Sequence, residues 1–394
     1  MVVSKIIKYG LVGPLIGFIL IAYFNLKNPS YFEKDLNSAQ DELKPSVLTP
    51  VLDANGKLAM AGWGRSSENF SFDPSRINPT TSFYFLRNLR YKKWEAFVFA
   101  SEDFILGTAI FDLSYAGGYF VHYSDMKENG GISAIEHLDL SKKPIVQDDC
   151  SRDCHTSYQL DDYLKYDQST FGKSDFLYFK LNTTEIKLEI DLKFNKDQTE
   201  NLVTLTPISK DTSLFYYNSK RYLIPAQGKI VVNGKTHSGK FYIANDSGRG
   251  VWPLRAGWIW ISATGKTKNG KNIALNLGHG FNNPDSSRHT EDCFFVDGKL
   301  FKLEAATTEK RIKEDNSEEW EFNSNVSDKI KNKCNIKFAT LKKKNDFMDN
   351  VIIKNVIKFD LRYGVYFGTC TDENGEVHEF DKVYGILEDK LSLW

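Results

Sequence analysis

Residues 186–194 read Ile-Lys-Leu-Glu-Ile-Asp-Leu-Lys-Phe. Ile186, Leu188, Ile190 and Leu192 alternate with Lys187, Glu189, Asp191 and Lys193. A period of two places the four apolar side chains on one face, the pattern of a half-buried β-strand. The same style recurs in short runs along the chain: Trp94–Ala100, Phe104–Phe111, Gly118–Tyr123, Phe176–Leu181, Lys229–Asn233, Lys240–Ala244, Gly257–Ala263, Lys271–Leu277, Val351–Val356, Tyr363–Thr369 and Val377–Phe380. Asn233-Gly234, Asn269-Gly270, Asp297-Gly298 and Asn374-Gly375 supply hairpin-type turns. Many short strands, frequent Gly turns and no long amphipathic helix predict an all-β fold of barrel or sandwich type. Three stretches break the pattern. Residues 124–175 are expected to be irregular, 245–250 (NDSGRG) an ordinary turn, and 309–333 a charged loop.

The chain has 394 residues, long enough for two domains and for a large core. Its 28 Phe, 19 Tyr and 7 Trp suit half-buried pleated surfaces, and either fill a core or line a ligand cavity. Lys+Arg and Asp+Glu both total 51, so the basic footprint of a nucleic-acid partner is missing. No nucleophile elbow, P-loop or HExxH motif occurs, which argues against hydrolase, kinase and zincin chemistry.

Residues 11–24 (LVGPLIGFILIAYF) carry no charge. With the flanking Tyr9 and Gly10 they fall just short of the ~20 apolar residues of a spanning helix, and Lys8 can snorkel at its edge. No small-x-small cleavage site follows, so an uncleaved signal anchor is expected rather than a removed signal peptide. Lys5 and Lys8 favour an N-terminus on the cytosolic or matrix side. The body would then lie on the opposite side, at the endoplasmic reticulum or the mitochondrial inner membrane. The expected organisation is a transmembrane anchor over 1–28, a linker over 29–55, and two β halves over 56–210 and 211–394.

Five cysteines leave at least one unpaired. Cys150 and Cys154 form a cluster whose spacing fits a small-loop disulfide better than zinc or haem attachment. No cofactor and no metal is expected.

Several segments together resemble the large family called domain of unknown function 2804. They are Gly62-Trp63-Gly64-Arg65, Arg90-Tyr91-Lys92-Lys93-Trp94-Glu95, residues 109–117 (AIFDLSYAG) with His122 and Asp125, residues 258–265 (WIWISATG), Leu275-Asn276-Leu277-Gly278, Thr290-Glu291-Asp292, Phe295–Leu300, Tyr363–Gly368, and Gly375, Gly385, Glu388 and Trp394. The resemblance covers roughly residues 50–394. Asp292 stands where the family pattern has Asn, and the stretch around Trp320 is unusually charged. The resemblance implies two lipocalin-like antiparallel β-barrel halves packed together. Distant relatives of that look include plant tocopherol cyclases and bacterial carotenoid hydratases. It carries over no catalytic residue.

The densest polar constellation is Asn276, His279, Arg288, His289, Glu291 and Asp292. Protonating an alkene needs a carboxylic acid kept neutral in an apolar pocket. Glu291 is the candidate acid, with His279 or Asp292 as its partner; the bland alternative is structural hydrogen bonding in a strand–turn–strand loop. Trp258 and Trp260 share one strand face, and with Trp94 and Tyr115 they are the candidate ligand-contacting aromatics. Two functions follow. The first is a membrane-anchored module that binds a lipophile or serves as an accessory subunit of a membrane complex. The second is an enzyme hydrating or cyclising an isoprenoid or other lipid. An open barrel with an acid pointing inward supports chemistry, and a barrel filled by aromatic side chains argues against both a ligand and a reaction there.

Overall fold

The computed structural model describes residues 41–77, 89–149, 154–171, 174–209, 211–253, 255–280, 291–314, 317–345 and 358–393. In chain order the first strands are β1 (Thr49–Pro50), β2 (Gly62–Gly64), β3 (Phe70–Ser71), β4 (Tyr91–Ala100), β5 (Phe104–Asp112), β6 (Gly117–Asp125), β7 (Ser133–Asp139) and β8 (Ile145–Val146). Then come β9 (Cys154–Leu160), β10 (Leu164–Phe171), β11 (Ser174–Asn182), β12 (Lys187–Phe194), β13 (Asn201–Pro207), β14 (Phe215–Val232) and β15 (Lys235–Val251). The closing part holds β16 (Arg255–Lys266), β17 (Asn272–Gly280), β18 (Cys293–Val296), β19 (Lys299–Lys302), β20 (Ala306–Ile312), β21 (Glu318–Ser324), β22 (Lys333–Lys344), β23 (Lys358–Thr371) and β24 (Val377–Leu393).

These strands build two curled antiparallel sheets, each a half-barrel around its own core. The first runs in the order β7-β6-β5-β4-β15-β14-β12-β11-β10-β9-β8, with β13 and β2 added beside β14. The second runs β19-β18-β17-β16-β24-β23-β22-β21-β20. The alternation that opened the sequence reading sets the pairing of β12, where Leu188, Ile190 and Leu192 all point into the first core. The hairpins at Asn233-Gly234 and Asp297-Gly298 place both turn residues at positive φ (50° and 85°, 47° and 84°), as a two-residue turn matched to strand twist requires.

The interior of the first half-barrel is filled by Phe97, Phe99, Phe104, Tyr166 and Phe179 with aliphatic neighbours. Phe294, Phe301, Trp320, Phe338 and Tyr366 fill the second. A third apolar layer joins the sheets: Val98, Phe120, Tyr222 and Leu223 of the first meet Trp260, Phe295, Tyr363 and Ile386 of the second. Strands at this interface therefore bury both faces. On β4, Phe97 and Phe99 face the first core while Val98 and Ala100 face the second sheet. His122 hydrogen-bonds Tyr363 across the interface, and burial pushes its imidazole down to about 3, so it stays neutral.

Several sequence expectations change. The anchor and residues 29–40 of the linker fall outside the described residues; among the described residues no helix is long and apolar enough to cross a membrane. From residue 41 onward the expected linker is packed, since Leu43, Val51 and Leu52 join Leu58, Phe70 and Phe72 in a cluster over Val203, Leu205 and Phe215. The sheets change over between Val251 and Arg255 rather than at 210/211, because β14 and β15 form one long hairpin of the first sheet. Residues 124–175 contain β7 to β10, and 309–333 contain most of the β20–β21 hairpin, whose charges pair across the strands, as Arg311 does with Glu321. Asn245–Gly250 is not a turn but the last third of β15. The expected strand at 351–356 lies outside the described residues.

Cys334 and Cys370 form a disulfide linking β22 to β23 across a separation of 36 residues. Cys154 is disulfide-bonded as well, while Cys293 is a buried free thiol. Replacing Cys334 and Cys370 with Ala is expected to lower stability by about 2–4 kcal/mol in urea unfolding, the usual effect of releasing a loop of this size.

Candidate functional site

One face of β14 carries Tyr216, Asn218, Lys220 and Tyr222, all buried and all turned toward the second sheet. Lys220 is the hub. Its Nζ lies 2.9 Å from Asp246 Oδ2 of β15 and 3.0 Å from Glu291 Oε1, just before β18. It also sits 4.4 Å above the ring of Trp260 on β16. Tyr216 donates its hydroxyl to Glu291 Oε2 at 3.1 Å, and Asn218 Nδ2 donates to the same oxygen at 3.3 Å. Trp94 of β4 donates its indole N–H to Asp246 (3.3 Å) and stacks on Tyr216, with centroids 5.6 Å apart. Asn276 of β17 accepts from both Tyr222 and Trp260 at 2.9 Å.

Two glycines make this packing possible. A Cβ on Gly248 would overlap the Trp94 ring, and one on Gly278 would overlap the Glu291 carboxylate. Each is a site where another side chain lies against the backbone.

An aromatic wall continues from this hub. Trp252 meets Trp94, Tyr216 and Trp258 edge-on, at 5.4, 5.6 and 5.9 Å between centroids. Trp258, half-buried, donates its indole N–H to Glu388 Oε2 of β24 at 3.3 Å. Lys390, two residues along, places its ammonium 5.3 Å from the Trp258 ring and 4.5 Å from Phe359. Glu136 of β7 faces the same corner and also feels the charge of Lys390.

The electrostatics separate these groups into two kinds. Burial works against the charge on Lys220, but Asp246 and Glu291 outweigh it and hold the ammonium above its ordinary value. Burial raises Glu291, with Lys220 pulling the other way and Asp246 adding to the rise. Among the described residues Glu388 has no such cation in contact, and Lys390 acts on it only from a distance. Burial pushes its carboxyl up to about 7, against lowering by Lys390 and by the Trp258 indole. The hub is thus a locked ionic triad, and Glu388 is an acid that holds its proton up to about neutral pH, where it is half protonated.

Asp292 is also pushed up to about 7 by burial. For both acids the folded value exceeds the unfolded one (~3.9 for Asp, ~4.3 for Glu), so between about pH 4 and 7 the folded state binds more protons. Their contribution to stability therefore falls as pH rises through that window and levels off above it. Unfolding free energies measured from pH 5 to 8 should show a shallower decline in Glu388→Gln than in the parent chain.

The structure brings together Glu291, Trp94, Trp258 and Trp260 among the residues singled out from the sequence. Asp292 is turned away from them: its carboxylate accepts the backbone N–H of Gly278 and of Ala306, both at 2.8 Å, and ties the start of β18 to β17 and β20. His279 of β17 pairs in register with Ile259 of β16, and its side chain is outside the described residues. Arg288 and His289 are outside them too. Tyr115 lies apart from the site in the turn between β5 and β6, beneath the Lys92 ammonium at 4.3 Å. Sequence reasoning missed Lys220, Tyr216, Asn218 and Asp246, and quoted Glu388 only for the resemblance.

Aromatic and aliphatic side chains occupy most of both half-barrel interiors among the described residues. The first holds a polar cavity of about 50 Å³ near Glu95, Gln168, Ser219 and Arg249. That is room for a few water molecules at most. Glu291 and Glu388 lie outside this cavity, between the sheets.

The sequence profile described as Domain of unknown function (DUF2804) matches residues 40–394. No curated protein matches the chain. Among solved structures, one of CghA with Sch210972 is 11% identical, covering 77% of this chain and 88% of that one with a TM-score of 0.50. A putative AttH from Nitrosomonas europaea is 9% identical, with 79% and 98% covered and a TM-score of 0.45. Kievitone hydratase from Nectria haematococca is 8% identical, with 77% and 88% covered and a TM-score of 0.39. At 11% identity and a TM-score of 0.50, the first of these is alike in fold alone.

Proposed function

The chain belongs to the DUF2804 family, and we propose that in this member the interface between the half-barrels is an acid–base site acting on a lipophilic substrate, with Glu388 as the proton donor. The observation that carries this reading is the Glu388 carboxyl, buried beside an aromatic wall and pushed up to about 7. A carboxylic acid neutral at working pH can protonate an isolated alkene; an ordinary carboxylate cannot. The proton moves from Glu388 to one alkene carbon and leaves a cation on the other. The faces of Trp258 and Trp252 are suited to stabilise it. Water adding to that carbon, or an internal hydroxyl or alkene closing a ring, releases one proton, which returns to Glu388. The net reaction is hydration or cyclisation with no redox change.

Lys220, Asp246 and Glu291 are positioning groups in this scheme. They fix Tyr216, Trp94 and Trp260, and with them the aromatic wall. The acid role expected for Glu291 passes to Glu388, because Glu291 is ion-paired with Lys220 while Glu388 is not. The apolar N-terminal segment is proposed to tether the body at a membrane, where a lipid substrate is at hand. Disulfides at Cys154 and Cys334–Cys370 suit an oxidising compartment such as a lumen.

Turnover should be flat at acid pH and fall above about 7, as Glu388 loses its proton. A rate–pH profile on lipid extracted from the source membrane checks this. A profile rising through the same range would assign Glu388 as a base and contradict the scheme. The second reading is binding without chemistry at the same wall, favoured by the lock on Lys220. It requires the parent chain to show no turnover and Glu388→Gln to bind the same lipid as tightly as the parent.

A further inference from the structure

The hairpin joining β23 to β24, at the far end of the second half-barrel, carries a set of groups that the interface does not use. Its sequence is Thr371-Asp372-Glu373-Asn374-Gly375-Glu376-Val377-His378. Asp372 Oδ1 accepts the backbone N–H groups of Asn374 and Glu376, at 2.9 and 3.0 Å, and so shapes the turn. Its other oxygen lies 3.6 Å from His378 Nε2. Glu376 Oε1 lies 3.9 Å from His378 Nδ1 and pairs outward with Lys271.

His378 is the telling residue. It is 1% exposed, with the rings of Phe294 and Phe301 at 6.0 and 6.1 Å. Its neighbour in register, Cys370, is anchored by the disulfide. Among the described residues, neither ring nitrogen has a hydrogen-bond partner. At 3.6 and 3.9 Å the carboxylates stand beyond hydrogen-bond reach, and a buried imidazole left unbonded is costly. Donor atoms around a four-coordinate zinc ion stand about 3.4 Å apart, and one ion can take only one of the two ring nitrogens, so one carboxylate would have to shift toward it. One oxygen from each carboxylate and one ring nitrogen lie within 4.8 Å of one another.

We propose that Asp372, Glu376 and His378 form a divalent-cation site of zinc type, completed by water. One imidazole nitrogen and two carboxylates are a donor set zinc takes, while magnesium and calcium prefer oxygen alone. Asp372 and His378 are the buried members. Glu376 is exposed, and closes on the ion by rotating away from Lys271. The ion would clamp the hairpin against the end of the core.

Zinc titrated into the chelator-treated full chain, in competition with a chromophoric chelator, should bind at one equivalent and raise Tm. Asp372→Asn retains an oxygen for the turn, so the fold should survive, as circular dichroism would verify. It should weaken zinc by more than about 100-fold, beyond the 10–100-fold typical of losing an outer-shell partner. Glu376→Gln, at an exposed position, should weaken it less. No zinc uptake by the parent chain, or equal uptake by Asp372→Asn, would overturn the proposal. Magnesium or calcium displacing zinc at equal concentration would overturn the zinc assignment.

Discussion

Glu388→Gln is expected to abolish turnover while making the protein more stable at pH 8. The amide keeps the shape of the side chain and can still accept the Trp258 indole N–H, so the aromatic wall stays in place. It cannot donate a proton to carbon. Loss of a positioned general acid removes about 10²–10⁴-fold in rate. In the parent chain at pH 8 the carboxylate is ionised although buried, which costs stability. Removing that charge should add on the order of 1–3 kcal/mol to the unfolding free energy, a bound set by the rise from an ordinary carboxyl to about 7. Lower rate with higher stability is the signature of a group kept for function at the expense of the fold. A variant that lost both would place Glu388 among structural residues.

Lys220→Met should be the most destabilising single change at the interface. The side chain is 2% exposed, and removing its charge leaves Asp246 and Glu291 facing each other without a cation. Breaking a buried ion pair from one side costs about 3–5 kcal/mol. The loss should come from the stranded carboxylates rather than from the missing lysine. Lys220→Met combined with Asp246→Asn and Glu291→Gln is therefore expected to recover most of the stability in urea unfolding. If the triple variant were no more stable than Lys220→Met alone, the triad would not be the reason for the loss.

The parts of the fold that could be read from the sequence are those where one strand face is polar and the other apolar. The 186–194 stretch is such a case, and its strand and core residues emerge directly from the alternation. Trp258 and Trp260 were placed on one face by the same rule, and both face the sheet interface. The rule fails where both faces are buried. On β14, Tyr216, Asn218 and Lys220 face the second sheet, while Tyr217, Ser219 and Arg221 line the first half-barrel. Polar residues on both sides erase the alternation, so the strand that holds the hub carried no signal. Asn245–Gly250 misled for a related reason. Its glycines make room for Trp94 and for tight strand packing rather than for a turn. Glu388, followed by Asp389 and Lys390, has the look of a solvated charge run, and nothing in a linear reading shows that it lies beneath Trp258. Glu291 was found from its setting among polar residues, yet its role depended on Lys220, far away in sequence.

The proposed chemistry needs one carboxyl, Glu388, to hold its proton near neutral pH at the interface between the half-barrels. Titration of that group by carbon-13 NMR on side-chain-labelled glutamate, assigned by difference from Glu388→Gln, tests this directly. The account predicts a midpoint near 7. A midpoint near ~4.3, the ordinary glutamate value, would make Glu388 a plain carboxylate and remove the proton donor from the proposed site.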